Sequence, residues 1–365
     1  MEPDQHITSS TNSNTPPDAS APSNTGTPPD ASAPSNTGTP PSPPSTSPAP
    51  AAPPGAPSIR YLRRREIDNT QWDACIDNAL NRLIYGHSFY LDAMSDGQWD
   101  ALVLGDYLAV MPLPWRSRAG IRYLYQPSFT QQTGIFSAEP IPPALVGAFL
   151  EKVRRHFRFA EIYLNYGNPH PGLQEHANFI LPLDASYDQL AANFKENLTR
   201  NLRATERLPL NYMKSPDLST ALENYRLSYG DRTPHVRRED YHHFAGICFH
   251  WQQKGQLVIR GVIGDKQQWL ATAILLQDKR RLTLLQSTTL PAGRPLHANH
   301  YLLDQLIREW AGSGFLLDFE GSDIPGIAHF YKNFGGGDQP YYFYRHNGLP
   351  WPISLFKLPS TNIRP

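Results

Sequence analysis

Long apolar runs are missing from this 365-residue sequence: none approaches the roughly 20 residues a membrane-spanning helix needs, so no membrane span is expected. Cysteine is nearly absent. Cys75 and Cys248 lie far apart and belong to no Cys-x-x-Cys pair, which excludes a disulfide framework and leaves two reduced core residues, as in a cytoplasmic protein. Lysine and arginine are absent from residues 1–58, and the opening MEPDQHITSS has no apolar stretch, so a secretory signal is not expected. An excess of either charge is also missing, with 33 basic against 33 acidic residues. Glu2, Asp4, Asp18 and Asp30 belong to the first segment, which leaves the remainder at a mild +4. That value does not mark a nucleic-acid binder, and DNA is not expected as a partner.

Proline, by contrast, is abundant and unevenly placed: 16 of the 36 prolines fall in residues 1–58. The segment TPPDASAPSNTG occurs at 15–26 and again at 27–38, then gives way to a Pro/Ser/Ala run. So polar a repeat cannot bury a core, and 1–58 is expected to be a disordered tail with polyproline II character. A tether or spacer is the simplest role for it.

From Ile59 onward the pattern is that of an α/β chain. IRYLRRREI reads as an edge strand, 72–80 and 88–94 as short helices, and WDALVLGDYLAVMPLPWRS as two strands around Gly105-Asp106. IRYLYQPSF is a third strand, 142–157 an amphipathic helix, AEIYLNYG a further strand, and FILPLD closes the unit. Residues 186–208 read as helical. Helices at about 217–230 and 239–253 then precede three strands, QLVIRGVIG, WLATAILLQ and RLTLLQSTT, joined by tight turns. A helix over 297–311, the strand FLLDFE, a short helix and the strand YYFYR complete the order. The expected fold class is α/β (α+β), with two similar units in tandem, at 59–185 and 186–365, each a mixed, mainly antiparallel sheet flanked by helices. The shared order of elements suggests duplication.

Residues 314–335, GFLLDFEGSDIPGIAHFYKNFG, are the most informative stretch. They predict a strand ending in a carboxylate pair, a turn, and a helix with Ser322 as N-cap, Pro325 in its first turn and Gly335–Gly337 after its end. Ile324, Ile327, Ala328 and Tyr331 recur at helical spacing. Asp318 and Glu320 alternate by two and so share one strand face. A Tyr-Lys pair ahead of an aromatic-Gly step follows.

This layout resembles the C-terminal segment of GNAT-type acyltransferases, and is closer still to Fem-type peptidoglycan-bridge aminoacyltransferases and their BioF2-like relatives. The resemblance spans roughly 59–345 and implies tandem GNAT-like domains and acyl transfer to an amine or hydroxyl. It implies a small-molecule or cell-wall-precursor acceptor and acyl-CoA or aminoacyl-tRNA as donor, so that tRNA stays open as a partner. It places Asp318 and Glu320 beside the acceptor cleft, where a carboxylate takes a proton from an attacking amine; Glu320 equally suits a helix-dipole anion. It gives Tyr331 the role of protonating the leaving group, against that of a core tyrosine. It makes Lys332 a stabiliser of an oxyanion or donor phosphate, against a solvated helix lysine. Ser287, Thr288 and Thr289 with Gly293, Arg294, His297 and Asn299 correspond to the loop and helix start that hold a donor's pyrophosphate. Here the usual glycine-rich pattern is replaced by Ala292-Gly293-Arg294-Pro295, and Pro295 lacks an N–H.

Other residues draw attention without a motif. Tyr125, Thr130, Gln131, Gln132 and Thr133 crowd one loop with more hydrogen-bonding side chains than a turn needs, and the BioF2-like proteins carry a similar run; substrate binding is expected there. Lys195, Arg200, Arg203 and Arg207 suit phosphates of tRNA or a nucleotide sugar, or else a solvated face paired with Glu196 and Glu206. His297, His300 and Asp304 recur along one helix face; without a fourth ligand they read as exposed residues rather than a metal site. A non-catalytic binding or assembly module on the same scaffold is the alternative function.

Overall fold

The meander predicted at 256–289 forms because its first two strands are apolar almost throughout, and both of its faces find cover. The computed structural model describes residues 57–214, 216–230 and 236–351; most of the repeat tail and the residues after 351 lie outside the described residues. In chain order the elements are β1 (Ile59–Leu62), α1 (Asn69–Asn78), α2 (Ser88–Met94), β2 (Trp99–Leu104), β3 (Ala109–Arg118), β4 (Ile121–Leu124), β5 (Phe136–Ser137), α3 (Pro143–His156), β6 (Phe159–Leu164), β7 (Gln174–His176) and β8 (Phe179–Pro182). There follow α4 (Tyr187–Ala191), α5 (Glu196–Thr205), β9 (Asn211–Lys214), α6 (Leu218–Tyr229), α7 (Arg238–Gln253), β10 (Leu257–Ile263), β11 (Trp269–Asp278), β12 (Arg281–Thr289), α8 (Ala298–Trp310), β13 (Leu316–Asp318), α9 (Pro325–Lys332), β14 (Gly337–Asp338) and β15 (Tyr341–Asn347).

Two sheets result. One runs β1-β2-β3-β4-β6-β15-β7, with β5 paired to β3; the other runs β14-β8-β13-β12-β11-β10-β9. Among the described strands, β4–β6 and β12–β13 are the parallel pairs. One face of the β10–β12 meander packs Leu282, Leu284 and Leu275 against Leu302, Leu303 and Leu306 of α8. The other face joins Ile259, Ile274 and Leu276 to α6 and α7, and to Trp72, Tyr90 and Trp99 of the first half, in one buried cluster.

Several expectations are corrected. FILP does not close the first sheet: β8 pairs with β13 and β14 in the second, burying Phe179 and Leu181 beneath Leu317 and Phe334. YYFYR does not end the second sheet: β15 lies between β6 and β7, where Tyr342 and Tyr344 join Phe149 and Val153 of α3. The helix expected over 186–208 is broken into α4 and α5. The break lets Phe194 turn in against Phe334, with ring centroids 5.6 Å apart, and Lys195 N–H donate to the Asn333 carbonyl at 2.9 Å. Ser322 is not the N-cap of α9, which is Ile324; the Ser322 hydroxyl accepts from the Ile324 N–H at 3.1 Å.

Candidate functional site

β12 and β13 pair through only three residue pairs, Arg281–Leu316, Leu282–Leu317 and Thr283–Asp318. Beyond them β12 continues to Thr289 along β11, while the other chain turns away after Asp318. The strands therefore part at Thr283 and Asp318. The turn is sharp: Glu320 adopts a left-handed φ of 50°, which breaks the strand alternation that would have put it on one face with Asp318. Gly321 is required here, because a Cβ would sit 2.7 Å from the Asn178 Cα.

A buried network fixes this turn. Asn178, with no exposed surface, donates from Nδ2 to Asp318 at 3.0 Å and accepts at Oδ1 from the Gly321 N–H at 2.7 Å. Gln131 Nε2 reaches the same Oδ1 at 3.3 Å and the Gly321 carbonyl at 3.4 Å. Gln132 donates to Gln131 at 2.6 Å and accepts from the Tyr166 N–H at 3.1 Å. The structure thus brings the Gln-rich loop of the first half against the carboxylate turn of the second. Asp318 is engaged on every side: Asn178 and the Glu320 N–H on one oxygen, Arg281 on the other. Arg281 in turn donates to Gln339 at 3.1 Å and lies over the Tyr166 ring.

Tyr331 is buried, its ring stacked on Phe319 at 4.9 Å. Burial first, then the neighbouring Tyr229 and Glu320, push its hydroxyl well above the usual tyrosine range, so it is a neutral phenol. Lys332 is half exposed, its Nζ 3.3 Å from Asp338. Tyr125 lies buried under the Arg116 guanidinium, 4.2 Å from its ring centroid, and Thr130 has no exposed surface.

The other wall is the chain from β12 into α8. Ser287 Oγ donates to Asn299 Oδ1 at 3.0 Å, tying the end of β12 to the first turn of α8. Thr288 is buried opposite Thr272, and Thr289 is opposite Ala271. Gly293 is packed so closely that a Cβ would approach the Leu270 carbonyl oxygen at 2.1 Å. Arg294 is exposed. His297 precedes α8 in a left-handed conformation, and no side chain caps the first N–H groups of the helix. This arrangement fits an anionic donor group such as a pyrophosphate.

Arg200 and Arg203 lie exposed on α5. α5 is held beside both walls, by Asn201 to His300 at 3.4 Å and Asn197 to His329 at 3.2 Å. Burial, with help from His297, lowers the His300 pKa to about 4, so the ring is neutral and accepts from Asn201. The expected exposed row His297–His300–Asp304 does not exist as such: Asp304 is 5% exposed and accepts from the Tyr187 hydroxyl at 2.6 Å. Burial raises its pKa.

Sequence reading missed Asn178, Arg281 and Gly321, the parts that hold the turn. Asn178 and Asp318 are 140 positions apart in sequence, and only the insertion of β8 beside β13 brings them together. No described helix is long and apolar enough to cross a membrane.

Residues 192–341 match the family described as an acetyltransferase (GNAT) domain. Among solved structures, the fold is similar to that of FemX at 14% identity and a TM-score of 0.55, covering 79% of this chain and 98% of FemX. A conserved protein of unknown function from Bacteroides thetaiotaomicron VPI-5482 aligns at 10% identity and a TM-score of 0.50, over 80% of this chain and 100% of the other. A tandem GNAT protein from the clavulanic acid biosynthesis pathway aligns at 11% identity and a TM-score of 0.46, over 80% and 99%. At such identities the likeness concerns the fold. No curated protein matches the chain.

Proposed function

We propose that this chain, whose residues 192–341 match the acetyltransferase (GNAT) domain family, transfers an acyl group to an amine or hydroxyl of a small-molecule or cell-wall-precursor acceptor. The observation that carries the reading is the parting of β12 and β13 at Thr283 and Asp318, where β12 leads into the uncapped start of α8 and β13 into the helix that carries the buried phenol of Tyr331. Acyl-CoA, when bound, supplies the activated thioester; aminoacyl-tRNA is the alternative donor. Ser287, Thr288, Thr289, Gly293, Arg294, His297 and Asn299 receive the donor's phosphates, with Arg200 and Arg203 of α5 beside them. Glu320 takes the proton from the attacking acceptor, while Asp318, held by Arg281 and Asn178, fixes the turn. Tyr331, kept neutral by burial, gives a proton to the departing group. Lys332 adds positive charge at the same end. Tyr125, Thr130, Gln131 and Gln132 shape the acceptor side from the first half.

The test is release of free thiol from acetyl-CoA, and of deacylated tRNA from charged tRNA, in the presence of a panel of amines. Tyr331→Phe and Glu320→Gln are each expected to slow turnover on the order of 10²-fold or more. Unchanged turnover in a folded variant removes that residue from the mechanism. A binding module without chemistry is the second reading, favoured by Pro295, which withdraws one N–H ahead of α8. Calorimetric binding of coenzyme A or tRNA without turnover would establish it.

A further inference from the structure

The pairing of β11 with β12 is interrupted once. Leu275 faces Leu284 and Ile274 faces Gln286, so Leu285 is an extra residue in β12. Such a bulge re-aims every side chain after it. Without it, Gln286 and Thr288 would continue the row of Leu282 and Leu284 and pack under α8. With it they turn to the opposite face, opposite Ile274 and Thr272, in line with Thr283 and Asp318.

That face is apolar at Ile274 and Leu276 and is roofed by α6 through Leu218 and Ala221. Polar groups stand within it unmatched. Gln286 is 4% exposed, and neither its Nε2 nor its Oε1 has a hydrogen-bond partner among the described residues. The same holds for Thr283 Oγ1, at 1% exposure, and for Nδ2 of Asn224, one helical turn on from Ala221 in α6. Buried polar groups are nearly always paired, because leaving them dry is costly. Two on one sheet face and one on the helix that covers it, at the point where the sheet opens, mark a place built for a ligand.

We propose that Gln286, Thr283 and Asn224 form an amide-recognition subsite, and that the acceptor carries a peptide or N-acyl amide beside its nucleophile. The inference rests on the transfer reading of the cleft. A primary amide side chain offers N–H donors on its nitrogen and an acceptor on its oxygen, the complement of a substrate's C=O and N–H. Thr283 and Asn224 add donors for the same carbonyl. Asp318, the adjacent charge on this face, is neutralised by Arg281, so the subsite selects for hydrogen-bonding shape rather than charge. Gln286 is thereby a specificity residue for the acceptor.

Two single-amine probes of equal length separate the possibilities: glycine N-ethylamide and 2-ethoxyethylamine, titrated into the full chain by NMR. Wild type is expected to bind the amide roughly fivefold or more tightly, the scale of one net hydrogen bond. Gln286→Leu should abolish that preference without lowering the melting temperature, since it removes two unpaired polar atoms. Thr283→Val should reduce it in part. Equal binding by wild type, no binding of the amide, or a preference that survives Gln286→Leu overturns the proposal; a trapped water satisfying Gln286 would give the first of these. Thiol release from acetyl-CoA with the same amines is read separately: an amide preference without transfer keeps the subsite and removes the catalytic reading, whereas transfer without preference does the reverse.

Discussion

Arg281 and Asp318 illustrate how much of the site is spent on holding itself in place. The side chains are 12% and 1% exposed, and each oxygen of the carboxylate already has a donor. Removing one partner of such a pair leaves the other charge buried and uncompensated. Arg281→Met is therefore expected to cost about 3–5 kcal/mol of stability, read as a fall in the urea midpoint. Adding Asp318→Asn should recover part of the loss, because the stranded charge is gone. A single variant with an unchanged midpoint would show that the pair is solvated and that Asp318 is available for chemistry. Lys332 contrasts with this pair: half exposed beside the exposed Asp338, it is free to serve a ligand at little structural cost.

At the scale of elements, the junction of α5 with α8 carries a pH dependence. His300 has its pKa lowered to about 4, first by burial and then by His297, against about 6.5 in an unfolded chain. Between these values the unfolded chain binds a proton that the folded one refuses, so stability falls as pH drops from about 6.5 to about 4. Below that range both states are protonated and the loss is complete. His300→Gln should flatten this part of the profile, measured as urea midpoints at pH 7 and pH 4.5. Equal losses in wild type and variant would place the acid sensitivity elsewhere. Elements such as α8 and the meander were legible in the sequence because one strong period runs through each: Leu302 and Leu306 recur by four, and Val258, Ile259 and Leu275 fill strands covered on both faces. The aim of individual side chains was not legible. The bulge at Leu285 and the left-handed Glu320 each break the alternation from which facing is inferred. Asp304, polar and at helical spacing with His297, is drawn inward by the Tyr187 hydroxyl from a distant helix.

For the molecule as a whole, the order of elements suggests two like units in tandem, but the pairing couples them. β8 leaves the first half to lie beside β13, and β15 returns from the second half to lie between β6 and β7. Nothing local announces either choice: FILP and YYFYR are ordinary strand sequences, and their partners are selected by which apolar face remains uncovered. The shared cluster of Trp72, Trp99, Phe244, Trp251 and Ile274 joins the halves further. Cooperative unfolding follows where elements share strands and core. The full chain is expected to unfold in a single calorimetric transition, with calorimetric and van't Hoff enthalpies in agreement. A fragment of residues 186–365 should fail to fold alone, since it lacks β8, leaves β13 with an unpaired edge and carries β15 without a sheet to enter. Starting the fragment at residue 174 restores β8 and should improve protection from proteolysis, yet β15 stays without its β6 partner. Two resolved transitions, or a compact and protected 186–365 fragment, would show that the exchanged strands contribute little and that each unit stands by itself.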